Sequence, residues 1–123
     1  MARFIQLPIQ EISSYLPKLR RLIQTGKTRI AITNFGDVQG FLVPLSDVPT
    51  DIPSQIQTLA YPDFVRRFHR DRLWEFPEGV EAIALTFHTR HVVWYVHPDL
   101  QYLLPLDLAP CSRDLLERTY QSS

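Results

Sequence analysis

The chain has 123 residues, of which 45% are hydrophobic and 21% charged, so it is long enough for one domain or two very small ones and is not disordered throughout. Thirteen basic and thirteen acidic residues cancel, which excludes the overall positive potential that marks many nucleic-acid binders and any bulk attraction to anionic membranes. One cysteine, no signal-peptide pattern and no apolar run near ~20 residues predict a cytoplasmic protein with no internal disulfide and no membrane contact.

Charge is uneven along the chain. Residues 1–48 carry six basic and three acidic side chains, a net charge of +3, and the remainder therefore carries −3. Any contact with nucleic acid is therefore to be sought in the first part of the chain.

The first elements are a short strand, a helix and a hairpin. Arg3–Leu7 predicts a strand closed by Pro8, and Gly26 predicts the left-handed end of the helix. Thr28–Thr33 and Val38–Leu45 predict two strands about the turn Asn34-Phe35-Gly36-Asp37, where Gly36 allows positive φ. The helix carries an apolar stripe that is expected to lie on the sheet, formed by Ile9, Ile12, Leu16, Leu19 and Ile23.

Pro17 lies inside that helical pattern. A mid-helix proline removes the bond to the carbonyl of Ser13 at a cost of ~3 kcal/mol. We therefore expect either a kink or a restart, in which Ser14 caps a shorter helix from Tyr15 to Thr25.

The order of these elements and several short motifs resemble the Phd/YefM antitoxins, the DNA-binding halves of bacterial toxin–antitoxin pairs. The resemblance covers roughly residues 3–47. It rests on these stretches: Ile12-Ser-Ser-Tyr-Leu16, Leu19, Leu22-Ile23, Gly26, Ile30-Ala-Ile-Thr33, Gly36 and Phe41-Leu-Val-Pro-Leu45. It implies an α/β layer that pairs with a second copy, and the small size of this region also favours a homodimer. The candidate dimer interface is Ile12, Leu16, Leu19 and Ile23.

The departures from the family concern DNA. The resemblance implies cations in the first helical turn and in the hairpin turn, where this chain has Ser13 and Thr33-Asn34-Phe35-Gly36. Without them most direct phosphate contacts are lost, so DNA binding is expected to be weak or absent. The remaining candidates for nucleic-acid contact are Arg3, Lys18, Arg20 and Arg21, although solvated surface charges are the favoured interpretation of these residues. Phe35 is expected either to dock on a protein or to fold over Tyr15 or Phe41.

A proline-containing seam at residues 46–54 predicts a division into a dimerisation unit (1–48), a linker (49–60) and an ordered extension (61–123). In the extension, the sequence predicts a helix from Tyr61 to Trp74 and a hairpin of Val80–Phe87 and Val92–Val96. It also predicts a third strand at Leu100–Leu106 and a terminal helix at Ser112–Tyr120. It is expected to form its own core or, preferably, to pack on the first half and enlarge a shared sheet. Its aromatic residues are candidates for that core and, with Phe35, for partner binding: Phe64, Phe68, Trp74, Trp94 and Tyr95.

Two groups of residues have the side-chain chemistry of a metal or catalytic site. His88, His91 and His97 with Asp99 offer zinc-ligand chemistry, but His97 lies ~20 Å along an extended strand from the turn. Cys111 has no motif around it that would make it a nucleophile. The sequence therefore predicts an α+β protein that is not an enzyme and holds no cofactor or metal. Two functions remain open: an antitoxin-type protein that neutralises a toxin, and an adaptor or assembly factor that binds a larger complex through its second half.

Overall fold

The computed structural model describes residues 3–48, 55–104 and 107–109. The fold is mixed α+β, with one seven-stranded sheet in the order β4-β5-β6-β3-β2-β1-β7. The elements, in chain order, are β1 (Arg3–Pro8), α1 (Ile9–Gln24), β2 (Arg29–Asn34), β3 (Asp37–Pro44), β4 (Gln55–Ala60), α2 (Tyr61–Arg67), β5 (Val80–Phe87), β6 (Arg90–Val96) and β7 (Asp107–Ala109). Short 3-10 turns lie at Leu45–Asp47 and Pro98–Leu103.

The same unit occurs twice in this sheet. In each unit a strand and a helix lead into an antiparallel hairpin, and the first strand runs parallel to the first strand of the hairpin: β1 with β2, and β4 with β5. The units meet where β3 pairs with β6. Leu42 lies opposite Tyr95, while Phe41 lies opposite Val96 and Val43 opposite Trp94. The pairing is therefore symmetric about Leu42 and Tyr95, which places a pseudo-two-fold axis between the two halves of one chain.

The two hairpins agree in detail. Each closes with a two-residue turn, Phe35-Gly36 or His88-Thr89, whose residues all have positive φ, as expected for a turn that matches the strand twist. Each also has a register irregularity at the same place, between Ile32 and Thr33 and between Leu85 and Thr86. The second half therefore extends the sheet of the first, which is the arrangement preferred from the sequence.

Helix α1 is continuous through Pro17, so the expected restart at Ser14 is wrong. Burial of apolar side chains on both sides of the proline explains the continuity. The buried residues are Ile9, Ile12, Leu16, Leu19, Leu22 and Ile23, and each buried side chain of this kind contributes about 1.5–3 kcal/mol, together well above the cost of the lost bond. Gly26 ends the helix region with φ of 77°, as predicted.

Two cores lie on opposite faces of the sheet, and each contains residues of both halves. Under the helices, Ile12 and Leu19 belong to the same cluster as Phe64 and Tyr95. On the other face, Phe4 and Phe41 cluster with Trp94 and Leu100. Because the halves share both cores, the chain does not divide into two separately packed units across the described ranges.

Three segments differ from the sequence expectation. Residues 55–60 form β4 and are not part of a linker, and Leu59 of this strand packs on the core. The strand was not predicted because Ile56 and Leu59 do not follow the period-two alternation of a half-buried strand. Helix α2 ends at Arg67 and not at Trp74. Beyond the helix the chain turns back, with a positive φ at Arg72, and Trp74 packs on Phe68.

The third difference concerns the segment predicted as a strand at Leu100–Leu106. Its first part belongs to the 3-10 turn that ends at Leu103, where the amide of Leu100 donates to the carbonyl of His97. The predicted helix at Ser112–Tyr120 and Cys111 lie outside the described residues.

Candidate protein-binding surface

The predicted dimer interface is part of the core of a single chain. Ile12, Leu16, Leu19 and Ile23 each have 0% relative exposure without any second copy. Their assignment as an interface between copies is therefore wrong. The size argument for dimerisation fails for the same reason, because the second half of the chain covers surface that a second copy would otherwise have to bury.

The aromatic residues of the second half are also buried rather than available to a partner. Their relative exposures lie between 0% and 7% for the set Phe64, Phe68, Trp74, Trp94 and Tyr95. The Tyr95 hydroxyl donates to the carbonyl of Trp74 at 2.8 Å, and the Phe64 and Phe68 rings pack edge to face. These residues hold the two halves together, and their assignment as partner-binding residues is wrong.

Phe35 is the predicted partner-binding residue that does lie on the surface. Its side chain is 92% exposed at the tip of the β2–β3 hairpin, and its backbone has φ of 52°. The alternative in which Phe35 folds over Tyr15 or Phe41 is wrong, because a side chain with 92% exposure is not covered by another ring, and Phe41 packs against Phe4 instead. Phe35 is unusual both because its large aromatic side chain is exposed and because a non-glycine residue in the left-handed region is uncommon.

Few cations of the predicted DNA-contact set are free for phosphate. Lys18 and Arg21 are exposed, but the Arg20 guanidinium lies 3.7 Å from the centroid of the Phe87 ring and donates to Gln24 at 2.8 Å. Arg3 begins β1, and its side chain lies outside the described part of the structure. The exposed cations of helix α1 thus number two within the described set, too few for the usual row of phosphate contacts.

The arginines at the end of α2 and in the segment after it are each paired with a carboxylate. Arg66 binds Asp63 at 2.7 Å, and Arg72 binds Glu75 at 2.8 Å. Arg67 and Arg70 both bind Asp71, and the hydrogen bonds from Arg70 and then Arg67 hold the pKa of Asp71 below its usual range. Since each guanidinium already has an anionic partner, this cluster offers little net positive charge to nucleic acid.

The two helices meet unequally on either side of the pseudo-two-fold axis. On one side the Ser13 hydroxyl and the His69 imidazole Nε2 lie 2.8 Å apart and tie α1 to the end of α2. The equivalent positions on the other side are Val65 and Pro17, which have no such groups, and a cleft of about 340 Å³ opens there. The cleft is lined by Pro17, Arg20, Tyr61, Pro62, Val65, Arg66 and Phe87.

The histidines near the second hairpin take separate roles. His91 packs against the Trp94 ring and contacts the Val93 carbonyl at 3.1 Å, and its pKa is lowered by burial. His97 packs on Phe76 and lies 3.5 Å from Asp99. Over residues 3–48 and 55–104, no three His, Cys, Asp or Glu side chains gather closely enough to hold a metal ion.

The repeat itself was missed from the sequence, although a signal for it exists. Ile30-Ala-Ile-Thr33 and Ile83-Ala-Leu-Thr86 are nearly identical and lie 53 positions apart. A search for internal repeats would have aligned the two hairpins through this motif.

Comparisons with known protein families, with curated proteins and with solved structures find no match to this chain. Within the described residues, no helix is long and apolar enough to span a membrane.

Proposed function

We propose that this protein is a non-enzymatic protein-binding module that serves as an adaptor or assembly factor for a larger complex. The observation that carries the proposal is Phe35, an aromatic side chain 92% exposed at the tip of a tight turn. Aromatic side chains contribute most to the free energy of binding when a second surface removes them from water, which is why they are enriched among the anchors of interfaces.

The geometry around Phe35 suits a fixed anchor. The turn has only two central residues, and its ends, Asn34 and Asp37, are paired across the hairpin. Such a turn holds the ring on a rigid strand pair, so little conformational freedom is lost when a partner binds. The neighbouring Asn34 and Asp37 place no positive charge at the tip, which favours a protein partner over phosphate.

The proposal is tested by photo-crosslinking from the turn. A photoreactive phenylalanine analogue placed at Phe35 should give one dominant adduct with another protein in the cells from which the gene comes. The same analogue at Tyr102, an exposed aromatic of the second half with 69% exposure, is the matched control. Equal adduct patterns from the two positions, or no adduct from Phe35, would contradict the role of the turn.

A second candidate function is the antitoxin-type one, in which the chain neutralises a toxin and binds its own operator. It is favoured by the pseudo-two-fold arrangement, since the resemblance implies two such units side by side in an antitoxin dimer. It is opposed by residues 61–104, which are built into the sheet and are not available as a ribbon that wraps a toxin.

DNA titration separates the two functions. At about 100 mM salt we expect no sequence-selective binding to the region upstream of the gene, because few phosphate contacts remain. Nanomolar selective binding that is lost when Arg20 and Arg21 are changed to Ala would restore the antitoxin function.

A further inference from the structure

The two edges of the sheet differ in the strands that lie there and in how they are paired. At one edge β7 runs parallel to β1, with Leu108 opposite Phe4 and Ala109 opposite Ile5. At the other edge, β4 pairs with β5 and with no other strand that the structure describes. An edge strand presents unpaired N–H and C=O groups that can pair with a further extended chain.

The pseudo-symmetry relates the β4 edge to the β1 edge, with which β7 is paired. Leu7 of β1 lies beside Ile32, and Leu59 of β4 lies beside Leu85, the equivalent hairpin residue. By the same correspondence Ile56 of β4 matches Phe4. Strand β7 is thus an example, within this chain, of a segment paired with the equivalent edge strand β1, and it runs parallel to that strand.

Strand β4 lacks two of the features that usually protect an open edge, although its register with β5 is irregular between Gln55 and Ile56. Its sequence, Gln-Ile-Gln-Thr-Leu-Ala, contains no charge and no proline, the residues that commonly prevent pairing with another chain. Ile56 is 45% exposed on this strand. An apolar side chain on an incoming segment would cover it.

A side-chain cavity lies beside the same edge. It measures about 270 Å³ and has an apolar part formed by Leu59, Leu73, Pro77 and Ile83. Gln57, Arg67, Asp71 and Glu75 form the rest of its lining. Ile56 and Gln57 are neighbours on a strand, so their side chains face opposite sides of the sheet, and the cavity serves the side opposite to Ile56.

We propose that the β4 edge binds an extended segment of a partner protein that runs parallel to β4. The segment carries two consecutive apolar residues, one packed on Ile56 and the next in the cavity beside Gln57 and Leu59. Main-chain pairing provides affinity and the cavity provides specificity. The site goes beyond the proposed function, because it lies on another strand than Phe35 and does not require a partner at the hairpin turn.

The test uses the full chain and a synthetic peptide with the sequence of residues 104–110, in which the position of Ala109 is changed to Leu to fill the cavity. We expect binding at about 100 μM or tighter, with backbone amide shifts concentrated in residues 55–60. Ile56→Lys should weaken binding about tenfold, as expected for a charge on an edge strand. Tyr102→Lys, an exposed site elsewhere, should leave it unchanged.

N-methylation along the peptide gives the signature of strand pairing. Binding should fall at alternate positions and persist between them, because only alternate amides of a strand face its neighbour. Equal losses at successive positions, shifts confined to residues 3–8, or no binding at about 1 mM would overturn the proposal. Self-association of the full chain that Ile56→Lys abolishes would overturn it in favour of a second copy as the occupant.

Discussion

At the residue scale, Tyr95 joins the two halves. It lies at the pseudo-two-fold axis opposite Leu42, stacks on Phe76 at 4.7 Å, and donates its buried hydroxyl to the Trp74 carbonyl. The ring also covers Gly40, where an added Cβ would lie 2.4 Å from it. Gly40 is therefore needed for close approach, and one aromatic side chain links β3, β6 and the segment after α2.

Burial raises the pKa of Tyr95 well above its ordinary value of 10. The unfolded chain therefore releases this proton above about pH 10 while the folded chain keeps it, so stability is fully present below pH 10 and is lost as the pH rises beyond it. The free energy of unfolding should fall by up to about 1.4 kcal/mol per pH unit from this residue. Urea unfolding between pH 8 and about pH 11 measures it.

Tyr95→Phe is the control for that prediction. It removes the ionisable hydroxyl and should be less stable at pH 8 by about 1 kcal/mol, because the buried Trp74 carbonyl loses a donor. Its stability should then decline less steeply at alkaline pH. Parallel curves for the two proteins would contradict the assignment.

At the element scale, α1 shows what the sequence could and could not predict. The 3-4-3-4 spacing of its apolar residues predicted the stripe, and Gly26 and Gly36 marked the helix end and the first turn. The stripe could not reveal its partner, since burial against a second copy and burial against the second half demand the same residues. Strand β4 was missed because an edge strand need not alternate clearly between apolar and polar residues.

The exposed Phe35 was predicted only as one of two alternatives. Composition identified an aromatic at a turn, but only the two-residue turn with positive φ at Phe35 and Gly36 directs the ring away from the sheet. The aromatic residues of the second half, such as Phe64 and Trp94, could not be divided into core and surface without the topology. The repeated motifs that begin at Ile30 and Ile83 would have indicated that topology, because they align the two hairpins.

Pro17 tests how α1 is stabilised. Pro17→Ala should raise the free energy of unfolding by about 1–3 kcal/mol, because it restores a donor to the carbonyl of Ser13 and improves helix propensity at an exposed position. Thermal and urea unfolding measure the change, with Lys18→Ala as the neighbouring exposed control. A loss of stability would show that the ring contributes packing in the cleft that outweighs the missing bond.

At the scale of the whole molecule, the two halves of the chain together form one sheet. Both cores contain residues of both halves, so the cooperative unit spans the two repeats. Because both halves belong to one chain, their association does not depend on protein concentration as that of the subunits of an obligate dimer does.

We expect the full chain to be a monomer at micromolar concentration by light scattering. Its unfolding midpoint should not change with protein concentration, because no association step is linked to folding. A stable dimer whose unfolding midpoint rises with protein concentration would contradict this prediction. Such a dimer would have to form through a surface other than the buried stripe of α1.

The hairpins point toward opposite ends of the sheet, since β3 and β6 are antiparallel, and their tips differ: Phe35-Gly36 at one end and His88-Thr89 at the other. A true homodimer would display the same anchor at both ends and would bridge two identical partners. Within the described residues, an aromatic ring lies at one of the two hairpin tips, so each chain provides one site of the kind proposed for Phe35. A multivalent partner would therefore be occupied at each of its Phe35-binding sites by a separate copy of this chain, and any link between partners would have to run through the β4 edge.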